Sequence, residues 1–352
     1  MTASYIAHHP EQQQLLPSAL QDWLPQGHLA YFINDTVDSL NLVKFHARYA
    51  KDGPRNQPFH PAMMVKVMVY AYATGTFSSR KIAKKLFEDV AYRVLAAENF
   101  PAHRTIRDFR ALHLAEFTEL FVQLVRLARE MGLAKLGTIA VDGTKIQALV
   151  QKAANADDAE KKRARSGHPR RDCPQARAPG SHSSGQSPKP KAQDSFTDPD
   201  SRIMKRAGGG FDYSFNAQTA VDETTHIIVA AEVVNTSSDV QQLSEAVMAQ
   251  LAASQPDTEL VIALGREGKA LAKPRDEKRY PHTTAMAAKF ETAQCKLDYA
   301  KRKWIAEPPN GWIKSVLGFR QFSMRGLDKA NAEFKRVCMA LNLRTMGAMQ
   351  MA

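Results

Sequence analysis

Residues 138–146 read Thr138-Ile139-Ala140-Val141-Asp142-Gly143-Thr144-Lys145-Ile146. The apolar run through Val141 predicts a buried strand, and Asp142 is expected at its exit. Lys and Arg number 48 against 36 Asp and Glu, a formal net charge of +12. A single carboxylate delivered by a buried strand in so basic a chain points to a metal site facing a polyanion.

The chain has 352 residues, 44% of them hydrophobic, enough for two packed domains. A pI near 9.5 favours a nucleic acid or another anionic surface as partner. A basic protein with no polyanion partner is the competing reading of the charge. Cys173, Cys295 and Cys338 lie far apart with no paired ligand spacing, which argues against a disulfide scaffold and against structural zinc. The N-terminus carries no cationic flank before an apolar core, and no apolar stretch has the length of a membrane span. The expectation is a cytoplasmic protein with no membrane partner.

From about residue 27 to 134 the spacing is helical. Leu29, Phe32, Ile33, Val37 and Leu40 share one face, and Pro61 opens a second run through Met64, Val67, Met68 and Ala71 that stops at Gly75. Ser78 or Ser79 is placed to cap the next helix, with Ile82 and Leu86 inward and Arg80, Lys81, Lys84 and Lys85 outward. A helix from Arg104 carries Arg104, Arg107 and Arg110 at i, i+3 and i+6 over Ile106 and Phe109, an arrangement that resembles the DNA-facing helix of a helix-turn-helix module. The link from Val90 to His103 is longer than that module's turn. A helix over 112–131 leads to the Asp142 strand.

Residues 151–207 are basic and rich in Ser, Pro and Gly, and read as a flexible insertion. Beyond it, 211–221 and 226–234 predict a hairpin, Leu243, Val247 and Leu251 a helix, and 260–264 a second buried strand. The fold class is therefore α/β within an α+β whole: a helical domain over 1–134, then a mixed-sheet domain of 135–150 and 208–352 in RNase H-like order.

The stretch Lys135 to Lys145 resembles the first-aspartate motif of bacterial insertion-sequence DDE transposases. Ala306-Glu307-Pro308, with Ile313-Lys314 and Gly318 to Leu327, resembles their glutamate motif. Tyr213 to Asp222 and Val229 to Asp239 are similar to the family's hairpin and the start of its next helix. His60 to Met64, Tyr70 to Gly75 and Thr105 to Arg110 are similar to its N-terminal region. The resemblance implies three carboxylates holding two Mg²⁺ (or Mn²⁺) ions for in-line phosphoryl transfer on double-stranded DNA. It assigns Asp142 as the bridge between the ions and Glu307 as a ligand of one. Lys145, Lys314, Arg320 and Arg325, with Arg104, Arg107 and Arg110, are the expected DNA contacts. It also implies recognition of terminal inverted repeats by a homo-oligomer assembled on DNA.

The second aspartate departs from the pattern. The family carries it after the strand that follows the helix, but here Leu260 to Leu264 runs directly into Gly265-Arg266-Glu267, as if that segment had been deleted and the sheet truncated. Asp257 precedes its strand, Asp222 lies in a turn and Asp239 in a helix's first turn, which leaves Glu267 as the candidate replacement. Two carboxylates leave two divalent ions undercompensated, so metal occupancy and strand transfer are expected to fall. Pro309 after Pro308 is expected to weaken the helix beyond Glu307. The alternative is a non-catalytic basic DNA-binding protein.

Overall fold

The computed structural model describes residues 19–49, 58–135, 137–149, 195, 197–205, 209–236, 281–289 and 291–350. The helices are α1 (Leu29–Ser39), α2 (Val43–Ala47), α3 (Pro61–Ala73), α4 (Ser79–Glu88), α5 (Val90–Leu95), α6 (His103–Leu112) and α7 (Leu114–Glu130). Strands β1 (Ile139–Gln147), β2 (Arg202–Lys205), β3 (Phe211–Asp222) and β4 (Ile228–Val234) follow, then α8 (Pro281–Lys289), α9 (Ala293–Gly311), a π-helical turn (Trp312–Val316) and α10 (Leu327–Gln350). This is an α+β chain, helical first and then built on a small antiparallel sheet. Among the described residues, no helix is long and apolar enough to cross a membrane.

The apolar spacing explains the helical half. Ile33 and Val37 of α1, Ile82 and Leu86 of α4, and Ile106 and Phe109 of α6 are all buried, the stripes that a 3.6-residue period predicts. Helix α3 is buried nearly all round, as the central helix of a bundle must be. Ser78 sits at the cap position of α4 but its hydroxyl makes no cap bond. Asp89 does cap α5, accepting from the Ala91 N–H at 3.0 Å. The long link between α4 and α6 thus carries a short helix of its own.

Gly75, which ends α3, is there for two reasons. Its φ of +73° suits glycine, and a Cβ would lie 2.7 Å from the Leu317 carbonyl oxygen. That close approach ties the helical half to the segment after α9. Edge-on aromatic contacts extend the tie: Tyr72 to Phe77 at 5.2 Å, Phe77 to Phe319 at 4.9 Å, Phe319 to Phe322 at 5.4 Å, and Phe322 to Phe215 of β3 at 5.7 Å.

In the sheet β3 is central. Strand β1 lies antiparallel along one edge, from Ile139↔Asp222 to Gln147↔Ser214, while β4 and then β2 line the other. Asp222 builds the β3–β4 turn, its Oδ2 accepting from the Thr224 and Thr225 amides at 3.1 Å. Helix α10 then packs on β4, α3 and α7, and its Asn342 closes on the backbone of Ile228 with two bonds of 2.8 Å.

Arg202–Lys205 is a strand paired to β3. Upstream of it Asp198 and Asp200 accept from the Gly326 and Leu327 amides at the start of α10, at 3.2 and 3.0 Å. Carboxylates at a helix N-terminus satisfy donors that the helix leaves open. The helix and strand predicted over 243–264, with Glu267, lie outside the described residues.

The double proline does not break α9, which runs through Pro308 and Pro309 to Gly311. Proline at 309 removes the donor that would have satisfied the Ile305 carbonyl, four residues earlier. That carbonyl is met instead by His226 Nδ1 at 3.2 Å, from a residue held at φ +58° just before β4. A π turn follows directly after Gly311.

Candidate functional site

Asp142 is the fourth residue of a nine-residue strand, not its exit. The period-2 alternation continues past it: Ala140, Asp142, Thr144 and Ile146 share a face with their partners Val221, Thr219, Ala217 and Phe215. Thr144 and Ile146 are β-branched and buried, so the strand extends through Gly143. This is the face that α9 covers.

Packing of α9 brings Arg302 to the carboxylate. Arg302 Nη1 lies 2.5 Å from Asp142 Oδ1, with side chains 33% and 20% exposed. The guanidinium also stands 5.3 Å from the Tyr299 ring centre, and its Nε is buried without a hydrogen-bond partner. Two turns on, Asn310 Oδ1 accepts from the hydroxyl of Thr219, the cross-strand neighbour of Asp142, at 3.3 Å. The sequence reading missed Arg302. Its signal was the run Lys301-Arg302-Lys303 ahead of Glu307, which reads as surface charge until α9 is laid on β1.

Lys314, on the π turn, is half-buried beside the same carboxylate. Burial pulls its ammonium below the ordinary lysine value, Arg320 and Lys145 push the same way, and Asp142 pulls it back up. Arg320 Nε donates to the Lys314 carbonyl at 3.1 Å. Residues 320–322 are stitched to the end of β1 by Gln147 N–H to the Arg320 carbonyl at 3.0 Å and Phe322 N–H to the Gln147 carbonyl at 2.9 Å. Lys145 is exposed on β1, its Nζ donating to the Lys205 carbonyl at 3.3 Å. Asp142 therefore pairs with Arg302 and lies near Lys314, on which Arg320 and Lys145 also act. Arg325 is placed otherwise, its charge acting on Asp198 at the start of α10.

Glu307 is exposed on α9, within the helix rather than at a helix start. Among the described residues no hydrogen bond or ion pair engages it. Carboxylate oxygens are donors suited to Mg²⁺, and the Arg302 guanidinium already stands where a cation would lie against Asp142. Among the described residues no three His, Cys, Asp or Glu group as metal ligands, so they do not by themselves form the three-carboxylate, two-ion arrangement.

On α6, Arg104 and Arg107 are exposed, Arg107 paired with Asp108 at 2.8 Å. Arg110 is not on that face. It is 5% exposed, donates to the Phe77 carbonyl at 2.8 Å and lies 3.9 Å from Glu333. The cause is helical geometry: each i+3 step falls about 60° short of a full turn, so the third arginine has rotated about 120° from the first, into the core. Arg336 of α10 joins it, donating to the Arg110 carbonyl at 3.1 Å.

Comparison with known proteins gives two matched regions. Residues 18–112 match a family described as a transposase domain (DUF772), and residues 270–347 match one described as a transposase DDE domain. No curated protein and no solved structure matches the chain. The first region holds α1 to α6; the second holds α9, the π turn, Lys314, Arg320 and most of α10. DDE domain families use divalent metal ions.

Proposed function

Since the chain belongs to the DDE transposases of insertion sequences, we propose that it cleaves and joins DNA at a centre built on Asp142. The observation that carries this is one partly sheltered carboxylate paired with Arg302, with Lys314 nearby, on the strand that α9 covers. In the proposed centre Asp142 and Glu307 hold Mg²⁺ or Mn²⁺, with Glu267 the candidate third carboxylate. When bound, such an ion activates the attacking oxygen and stabilises the leaving one. The chain's own part is electrostatic and positional. Lys314 and Arg320, fixed to β1 through the 320–322 backbone, meet a phosphate as point charge and fork, and Lys145 extends the cationic rim along β1.

The proposed DNA is the terminal inverted repeat of the element, held by a homo-oligomer, with Arg104 and Arg107 on the outer face of α6 contacting phosphates. Arg110 has no part in that contact. With two assigned carboxylates, turnover is proposed to be orders of magnitude below that of a three-carboxylate centre.

A donor-end nicking assay with Mg²⁺ or Mn²⁺ tests this. Weak cleavage that drops by a further factor of about 10² or more in Asp142→Asn supports both parts. Fast cleavage abolished by Asp142→Asn keeps the site and removes the impairment. Cleavage indifferent to Asp142→Asn removes the site.

A further inference from the structure

Helix α4 buries Ile82 and Leu86 in the core, yet the residue after Leu86 is a phenylalanine that faces water. Phe87 is 66% exposed and stacks on Phe100, itself 38% exposed, with ring centres 4.5 Å apart and planes 17° from parallel. Val90, three residues on from Phe87, is exposed as well. Rings that only braced the α4–α6 corner would be covered, as Ile82, Leu86, Ile106 and Phe109 are on its inner side. An open stack is instead a preformed apolar surface. Each ring restrains the other, so little side-chain entropy is left to lose when something docks there.

The surroundings select the occupant. Arg80 and Lys84 stand seven and three residues before Phe87 on the same stripe of α4, and Arg104 lies in the first turn of α6, four residues after Phe100; all three are exposed. Lys84 also pairs with Glu88 at 3.2 Å, an exposed contact that a phosphate displaces at small cost. A second copy would bring the same cations against these, and like charges oppose that contact. A polyanion is drawn to them. On duplex DNA the phosphates meet the cations but offer nothing to an apolar ring, and in the major groove the apolar group is the C5-methyl of thymine. Phe100 immediately precedes Pro101 and the start of α6, and in helix-turn-helix docking the N-terminal end of that helix is the one that meets base edges.

We propose that Phe87 and Phe100 read thymine: the stacked rings pack on C5-methyl groups in the major groove while Arg80, Lys84 and Arg104 hold the flanking phosphates. The inference rests on the reading of α6 as a DNA-facing helix, and it adds a choice of base to what was phosphate contact alone.

The test is binding of the full chain to a duplex of the element's end and to the same duplex with uracil in place of thymine, which removes the methyl groups and keeps every hydrogen-bonding edge. Wild type is expected to bind the uracil duplex about fourfold more weakly for each methyl covered. Phe87→Ala/Phe100→Ala is expected to lose the distinction between the two duplexes and to keep the wild-type salt slope, since no phosphate contact has gone. Equal binding of both duplexes by wild type overturns the inference with no variant needed, and a double variant that still prefers thymine as strongly as wild type overturns it too. A double variant whose DNA-free chain changes oligomeric state in sedimentation makes the patch a contact between copies, and the inference falls. Arg104→Ala tests the premise separately. An unchanged salt slope in Arg104→Ala removes α6 from the DNA and this inference with it, whereas a lowered slope beside equal binding of both duplexes removes the thymine contact alone.

Discussion

Two carboxylates in this chain lie against arginine, and they have opposite fates. Glu333 is 0% exposed and sealed between the helical half and α10, meeting Tyr72 at 3.2 Å, the Ser323 amide at 2.8 Å and Arg110 at 3.9 Å. Arg336, itself buried, lies over the Tyr72 and Phe117 rings at 5.8 and 5.1 Å. Burial pushes the Tyr72 hydroxyl up, with Glu333 adding to the effect. Asp142 keeps a fifth of its side chain open to solvent and pairs with a guanidinium that is itself 33% exposed. The difference teaches what burial does to an ion pair. Inside, neither partner can leave without exposing an uncompensated charge to low dielectric, so the pair locks elements together. At the surface the same chemistry is cheap to break, and so can exchange one cation for another.

The largest expected effect lies at the sealed carboxylate. Glu333→Ala should cost about 3–5 kcal/mol by leaving Arg110 and Arg336 buried without it. Urea denaturation reads this directly; a loss under about 1 kcal/mol would mean the hub is not sealed. Asp142→Asn, by contrast, should leave the unfolding midpoint near that of wild type while removing cleavage.

A second buried group sharpens the contrast through pH. His113 is fully buried against Phe45 and Phe109, its Nε2 3.1 Å from the Tyr49 hydroxyl and its Nδ1 3.6 Å from Glu116. Burial holds the imidazole below its ordinary value of 6.5, with Glu116 pulling it back. The folded chain thus binds the proton less readily than the unfolded chain. The His113 contribution is complete above pH 6.5 and falls as pH drops toward the lowered folded value. The slope should not exceed about 1.4 kcal/mol per pH unit, and a His113→Gln chain whose stability declines as steeply between pH 6.5 and 5 would refute this origin.

The smallest effect is at the open face of α6. Arg104→Ala and Arg107→Ala should each weaken DNA binding with little change in stability, each lowering the salt slope by about one unit. Arg110→Ala should reverse the pattern, losing stability first. Equal effects of all three on the salt slope would break the division between open and sealed arginines.

Much of the helical half was legible because a 3.6-residue apolar period is a local property. Ile33, Val37, Ile82, Leu86, Ile106 and Phe109 are all buried as the spacing requires. The hairpin and its Asp222 turn were legible for the same reason. Arg110 was not, since its partner Glu333 lies far along the chain and the i, i+3, i+6 spacing drifts around the helix. Asp142's place within β1 was missed because the apolar run ended there, while the alternation carrying the strand on to Gln147 takes its meaning from the pairing with β3.

By itself the sequence determined the order of elements, the basic charge and the motifs around Asp142 and Glu307, because local spacing and composition need no partner to act. Tertiary structure decided which charges are sealed and which are open. It put Arg302 on Asp142, gave the Ile305 carbonyl freed by Pro309 the ring nitrogen of His226, and let α9 run where two prolines would have stopped it. Those outcomes depend on which distant groups share a small volume of low dielectric, and only the packed chain sets that.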